Sequence, residues 1–340
     1  MKTTPLPPEY LTFALAKNIG MPIIPNSTYQ ASGIFRNAHV NTIYPAFFRK
    51  VEGVDYERER IETPDGDFLD LDWSKVGGRS LLIALHGLEG SAYRPYICGM
   101  MRYFNDQGWD GLGLNFRGCS GEPNRLLRSY HIGETSDLKL VIQHALQTGA
   151  YERIGLVGYS LGGNVVLKYL GEDPGRVVDE VVGGVAFSVP CDVKSANTEI
   201  DRWHNWHYRK RFLDDLNRKM EEKAARFPKQ LQLPEQMPRD FREFDDQFTA
   251  PIHGFDSAEH YWTSSSAIHY IPDIEHPALL VSAADDSFLS PPCYPFELAE
   301  AHEYFHLEVP RYGGHVGFMT RHPKGYFWTE QRAYEFLGAY

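Results

Sequence analysis

Cysteine is scarce in this chain, and its four copies are not spaced as pairs. Cys98, Cys119, Cys191 and Cys293 include no C-x-x-C, which argues against a zinc ribbon and against a disulfide framework. Free thiols in a reducing compartment are expected. A basic excess is lacking as well. Lys and Arg number 34 against 45 Asp and Glu, a formal net charge of −11 over 340 residues, so the cationic footprint that nucleic-acid binding needs is missing. No segment approaches the ~20 consecutive apolar residues of a membrane span. The stretch from Met1 to Pro8 has no apolar h-region of a signal peptide. A cytoplasmic protein without a transmembrane segment is the resulting expectation. Internal repeats and low-complexity tracts are absent too.

What the chain does have is enough apolar material for a large core. Hydrophobic residues make up 42% and aromatic residues 14%, which suits one large α/β domain carrying an insertion. Residues 1–50 are punctuated by proline and read as an irregular segment wrapping the domain. Tyr56 to Glu62 and Leu69 to Trp73 alternate in polarity around the turn signal Pro64-Asp65-Gly66, the pattern of an antiparallel hairpin. From residue 80 the rhythm becomes strand–helix alternation. Apolar runs at 81–85, 111–116, 154–157, 181–187, 278–282 and 304–309 are separated mostly by helical stretches near 94–107, 137–148, 161–171, 294–302 and 324–338. Uniformly apolar strands between helices imply a mostly parallel sheet covered on both faces. Residues 191–265 supply no strand and are too long for a connecting loop, so they are read as a helical cap. The core then comprises 51–190 and 266–340.

Within this frame Gly158-Tyr159-Ser160-Leu161-Gly162 matches G-x-S-x-G, the nucleophile elbow. The pattern alone recurs by chance in roughly one chain in ten of this composition. Its meaning comes from context: an apolar strand ends just before it, and a helix with an apolar face begins just after it. Small residues at both Gly positions let strand and helix backbones approach at a strained turn. A serine hydroxyl is a weak nucleophile and needs a base, and the base needs an orienting acid, in the chain order Ser, Asp or Glu, His. Asp285 and Asp286 follow the strand at 278–282, where site residues of parallel sheets collect. Position alone leaves both open. His315, in Tyr312-Gly313-Gly314-His315-Val316-Gly317-Phe318, follows the next strand and is the candidate base. Two backbone N–H groups are needed for a developing oxyanion. Leu161, at a helix N-terminus, supplies one candidate, and Leu88, in His86-Gly87-Leu88-Glu89-Gly90-Ser91, the other.

Together with Asn115-Phe116-Arg117-Gly118-Cys119-Ser120-Gly121-Glu122-Pro123-Asn124-Arg125 and Arg242-Glu243-Phe244-Asp245-Asp246, these motifs resemble the α/β-hydrolase superfamily, and within it the YheT-like branch. The resemblance spans the chain from about residue 35 to the C-terminus. It implies a Ser–Asp–His carboxylic-ester hydrolase with Ser160, Asp286 and His315 in the triad roles, and it selects Asp286 over Asp285. One departure stands out. Many relatives carry Asp-Asp-Pro-Phe at the acid loop, whereas this chain has Asp285-Asp286-Ser287-Phe288.

The expected chemistry is attack by Ser160 on a small or lipid-derived acyl ester, through an acyl-serine, with no metal and no organic cofactor. An acyltransferase with an alcohol acceptor, a thioesterase or peptidase, and a non-catalytic scaffold are the alternatives. Other features have plainer readings. Arg117 and Glu122 are expected to pair and hold their loop. Trp203, Trp206, Phe212 and Trp262 are expected to pack the cap onto the core or line an acyl pocket. His204 and His207 are expected to pack within the cap rather than bind metal. Lys219 to Lys223 reads as a solvated helical face.

Overall fold

The computed structural model describes residues 22–340; the first 21 residues of the expected wrapping segment lie outside them. Nine strands form one sheet in the order β1-β9-β8-β7-β6-β4-β5-β3-β2. They are β1 (Ile23–Ile24), β2 (Glu57–Glu62), β3 (Phe68–Ser74), β4 (Ser80–Leu85), β5 (Asp110–Leu114), β6 (Arg153–Tyr159), β7 (Val181–Phe187), β8 (Ala278–Val281) and β9 (Phe305–Glu308). Pairings from β1 across to β5 are parallel, whereas β3 runs antiparallel to both β5 and β2. This is the α/β-hydrolase arrangement, with six of its strands where the apolar runs placed them. The two-residue β1 was not legible in the sequence.

The strand pattern explains the two-faced core. Along β4, Leu81, Ile83 and Leu85 point into one apolar cluster with Leu138 and Val141 of helix α3 (Ser136–Thr148) and Val165 and Leu170 of α4 (Leu161–Glu172). Leu82 and Ala84 point the other way, into a cluster with Ile97 and Phe104 of α2 (Pro95–Asp106) and Phe336 of α9 (Trp328–Leu337). Each such buried Leu or Phe contributes roughly 1.5–3 kcal/mol relative to exposure. The chain leaves β4 for β5 on one side and then returns to β6 on the other. At that reversal the loops beyond β4 and β6 diverge from the sheet and leave a crevice at their carboxyl ends.

Residues 22–50 are less irregular than the prolines suggested. Helix α1 spans Ala38–Phe48, with Asn37 Oδ1 accepting from Val40 N at 3.1 Å as its N-cap. Pro45 lies inside it, a position that ordinarily costs ~3 kcal/mol because one helical hydrogen bond is lost. Here the carbonyl that Pro45 cannot engage, that of Asn41, packs against Gly317 of the loop after β9, so tertiary contact overrides local propensity.

The hairpin forms as expected, but β3 is buried on both faces. Asp70 and Asp72, the polar positions of this alternating strand, are enclosed and matched by Arg60 and Arg58 in two-pronged contacts of 2.8 and 2.9 Å each. The pairing expected between Arg117 and Glu122 does not occur. Glu122 is an exposed partner of Arg60. Arg117, just after β5 and 3% exposed, grips Asp137 at 2.8 and 2.7 Å and reaches Asp65 in the hairpin turn at 2.6 Å. It thereby ties β5, α3 and the hairpin together. Between β7 and β8 the described chain holds no strand. It contains α5 (Val193–Ile200), α6 (Trp206–Arg226), a continuous helical stretch from Phe241 to His253 whose middle, Asp245–Thr249, is π-helical, and α7 (Ala258–Ser265); α8 is Phe296–Glu300.

Arg117→Met keeps the side-chain length and removes the charge, leaving Asp137 buried without its partner. Breaking a buried pair this way costs roughly 3–5 kcal/mol. Urea unfolding should show a midpoint lowered accordingly, and a loss below about 1 kcal/mol would contradict this role.

Candidate active site

Ser160 occupies the turn between β6 and α4 with φ 51° and ψ −117°, a left-handed backbone rare for a side-chain-bearing residue. Its own N–H donates to Phe187 O at 2.8 Å, anchoring the turn to β7. The close approach behind it needs glycine. A Cβ on Gly162 would fall 2.6 Å from the carbonyl oxygens of both Leu85 and His86. The turn therefore presents the hydroxyl beyond the strand end, at the N-terminus of α4, where the helix dipole favours negative charge.

The residues that sequence reasoning singled out converge there. His315 Nε2 lies 3.0 Å from Ser160 Oγ, and His315 Nδ1 lies 2.9 Å from Asp286 Oδ2. With a carboxylate oxygen opposite it, Nδ1 is the ring nitrogen placed to donate, which leaves Nε2 toward the serine as acceptor. Asp286 is 4% exposed, and its second oxygen accepts from Phe288 N at 3.0 Å. Asp285 turns elsewhere: its Oδ1 accepts from Gly314 N at 2.9 Å, so it braces the loop of His315 rather than the ring. Burial pushes the Asp285 carboxyl up to about 7.

The oxyanion candidates lie on the crevice as well. Gly87 passes so close to the elbow that an added Cβ would meet Ser160 Cβ at 3.3 Å. Among the described residues no acceptor takes the N–H of Leu88 or of Leu161. His86 is a structural member of this loop. Fully buried, it donates from Nδ1 to Gly87 O at 2.7 Å and accepts from Phe116 N at Nε2 at 3.1 Å. Burial drives its pKa down to about 3, so the ring is neutral.

Several supporting groups had no role assigned to them from the sequence. Thr42 Oγ1, on α1, accepts from His315 N at 2.9 Å, and Ser188 Oγ accepts from Val316 N at 2.9 Å. Phe288 stacks on the His315 ring at 4.1 Å between centroids. Glu89, at φ 52° beside Leu88, is held by Tyr130: its N–H donates to the phenol oxygen at 2.9 Å, and its Oε1 accepts from the phenol at 2.7 Å. Lys219 Nζ donates to the same Oε1 at 2.8 Å. The expectation of a solvated face from Lys219 to Lys223 is thus corrected. Lys219 reaches inward, and Lys223, 5% exposed, donates to Asn124 Oδ1 at 2.9 Å and Leu126 O at 2.7 Å. Long aliphatic stems let these lysines cross an apolar face before finding acceptors.

The expected aromatic packing is also revised. Trp203 and Trp206 are 68% and 56% exposed, and neither belongs to the buried core or to the linings of the two cavities described below. Phe212 lines the cavity of Ser160, and Trp262 is buried, its indole N–H donating to Asp245 at 2.6 Å. His204 faces Glu199 at 3.7 Å, and His207 packs against Tyr208 with the rings tilted, their centroids 4.0 Å apart.

Two cavities meet at Leu88 and Glu89. One, of about 180 Å³, contains Ser160 and His315. The other, of about 120 Å³, lies under the inserted helices and is lined by Leu88, Leu161, Phe241, Phe244 and Phe248, among others. Asp245 borders it, its pKa raised to about 7 by burial. No helix among the described residues is long and apolar enough to cross a membrane.

A family model of the alpha/beta hydrolase fold matches residues 80–320. Over 318 residues the chain is 34% identical to YheT of Escherichia coli (strain K12), a candidate esterase by name, covering 90% of this chain and 92% of that one. It is 27% identical over 304 residues to the phospholipase ABHD3 of Homo sapiens, covering 86% and 73%. An esterase of Pyrococcus furiosus shares the fold, with a TM-score of 0.57 at 20% identity over 84% of this chain and 91% of that one. On the extent of these matches, and with the sheet order and elbow described above, the chain belongs to the α/β-hydrolase family, on its YheT-like branch.

Proposed function

We propose that this hydrolase is a carboxylic-ester hydrolase working through an acyl-serine on Ser160. The observation that carries the proposal is the unbroken hydrogen-bonded series Ser160 Oγ, His315, Asp286 at 3.0 and 2.9 Å. In this reading His315 takes the Ser160 proton as the oxygen attacks an ester carbonyl. Asp286 holds the imidazole tautomer and stabilises the imidazolium. The N–H groups of Leu88 and Leu161 receive the oxyanion. His315 then protonates the leaving alcohol, and water releases the acyl group by the same steps in reverse. These steps use side chains and backbone groups alone. Residues 191–265 act as a cap over the core, and the substrates are small or lipid-derived acyl esters.

The names of relatives agree with ester chemistry: a candidate esterase and a phospholipase. Fluorophosphonate labelling tests the nucleophile. Wild type should be labelled and Ser160→Ala should not; label retained by the variant refutes the assignment. The acid is tested separately. Asp286→Asn should lower kcat by ~10⁴-fold, the scale on which a wrong imidazole tautomer acts. Asp285→Asn, which disturbs a loop contact alone, should cost far less. Equal losses would show that Asp286 has no special relation to the base.

The contacts of Glu89 generate a further expectation. Lys219 reaches from α6 of the cap to the residue next to the Leu88 donor, so it acts by positioning. Lys219→Met should lower kcat ~10-fold or more while KM changes little, because displacement of an oxyanion donor is felt mainly in the transition state. Lys219→Arg should restore much of the loss. Steady-state kinetics on one ester suffices, and a KM effect with unchanged kcat would sink the idea.

A further inference from the structure

The cavity of Ser160 and His315 has a charge imbalance. Three arginines line it, Arg49, Arg94 and Arg211, with two acids, Glu89 and Asp215. Arg49 is spent on Glu330 and lies 3.6 Å over the Phe327 ring. Both acids are committed as well: Glu89 to Lys219, and Asp215 to Arg218 at 2.7 Å. That leaves Arg94 and Arg211. Half-buried Arg94 donates to the Glu89 carbonyl at 2.8 Å, and exposed Arg211 lies 5.4 Å over the Phe47 ring. Neither is matched by a carboxylate among the described residues, in a chain where acids outnumber bases 45 to 34. The remaining walls include Ile43, Ala46, Phe212 and Phe288. Apolar walls lower the local dielectric and strengthen the pull of two uncompensated guanidinium groups on an anion.

The reaction geometry says which half of the substrate meets them. His315 Nε2 must deliver its proton to the departing oxygen, so the leaving alcohol lies in the cavity that His315 lines. Of the oxyanion candidates, Leu88 lies where the two cavities meet and Leu161 borders the second alone, so the acyl chain is assigned to that second cavity, on the far side of the oxyanion donors from His315. We propose that the leaving alcohol carries an anionic group, a phosphate or a carboxylate, bound by Arg94 and Arg211. Guanidinium pairs with either by parallel N–H···O contacts. This substrate class rests on the esterase reading of Ser160.

The test uses the full chain and three esters with one acyl group: butanoyl glycerol, butanoyl glycerol 3-phosphate and butanoyl glycerate, followed by titration of released butanoate. At least one anionic ester should exceed the neutral ester ~10-fold in kcat/KM, and the better of the two identifies the anion. Arg211→Gln should shrink that ratio, and Arg94→Gln combined with Arg211→Gln should abolish it. Raising ionic strength from about 0.05 M to about 0.5 M should compress it in the wild type. The ratio is the decisive readout, because damage to the Glu89 loop or to folding lowers all three rates together and leaves it unchanged. Equal rates on the three esters, or a ratio that survives the double variant, overturn the anion subsite while leaving the esterase standing. Hydrolysis of none of them, or hydrolysis persisting in Ser160→Ala, overturns the esterase reading and this proposal with it.

Discussion

One imidazole has to satisfy two partners at once, and much of the surrounding structure exists to let it. His315 faces Ser160 and Asp286 from opposite ring nitrogens, a geometry that tolerates little drift. Three separate segments fix the loop that carries it. Thr42 of α1 holds the His315 N–H, Ser188 beyond β7 holds the next N–H, Asp285 beyond β8 holds the preceding one, and Phe288 covers the ring. Among the described residues, every non-glycine residue with positive φ falls in this ring of loops or in the oxyanion loop beside it: Glu89, Ser160, Ser188, Val316 and Phe318. Such backbone costs of order 1–3 kcal/mol per residue and persists only where its surroundings over-determine it. The two apolar clusters on either face of the sheet supply that rigidity.

The elements that reach this point through local pattern were legible in the sequence. The elbow around Ser160 declares itself because strand, glycine, serine, glycine and helix are contiguous. The strands β4 to β9 declare themselves because central parallel strands are apolar on both faces. Asp285, Asp286 and His315 were legible as polar residues placed just past such strands. What the residues alone left open was the choice between the two aspartates, because adjacent side chains diverge according to how the loop turns. In the structure Asp286 turns to the ring and Asp285 to a backbone N–H.

The features that were not legible share a cause: their partners are remote in sequence. Helix α1 carries a proline that argues against helix on local grounds, and it is justified only by the loop that packs on it more than 270 residues later. Arg117 has an acid five residues away, yet binds Asp137 and Asp65 because β5, α3 and the hairpin turn converge there. Lys219 sits in a charged helical run whose inward face is set by the core beneath it, not by the spacing of its charges.

That last residue bears on what the inserted helices are for. A cap that only shields a site needs no polar link to it, and apolar contacts such as those of Phe244 and Phe248 suffice. Here α6 also extends an ammonium to Glu89, and a cation brought to a nearly buried carboxylate is held only where the geometry returns its desolvation cost. Glu89 in turn spans both cavities and adjoins the Leu88 N–H. A shift of α6 would therefore move a wall of the cap-covered cavity and loosen the oxyanion loop in the same motion. The wall of that cavity and the position of the oxyanion loop are thus linked through the ion pair of Lys219 and Glu89.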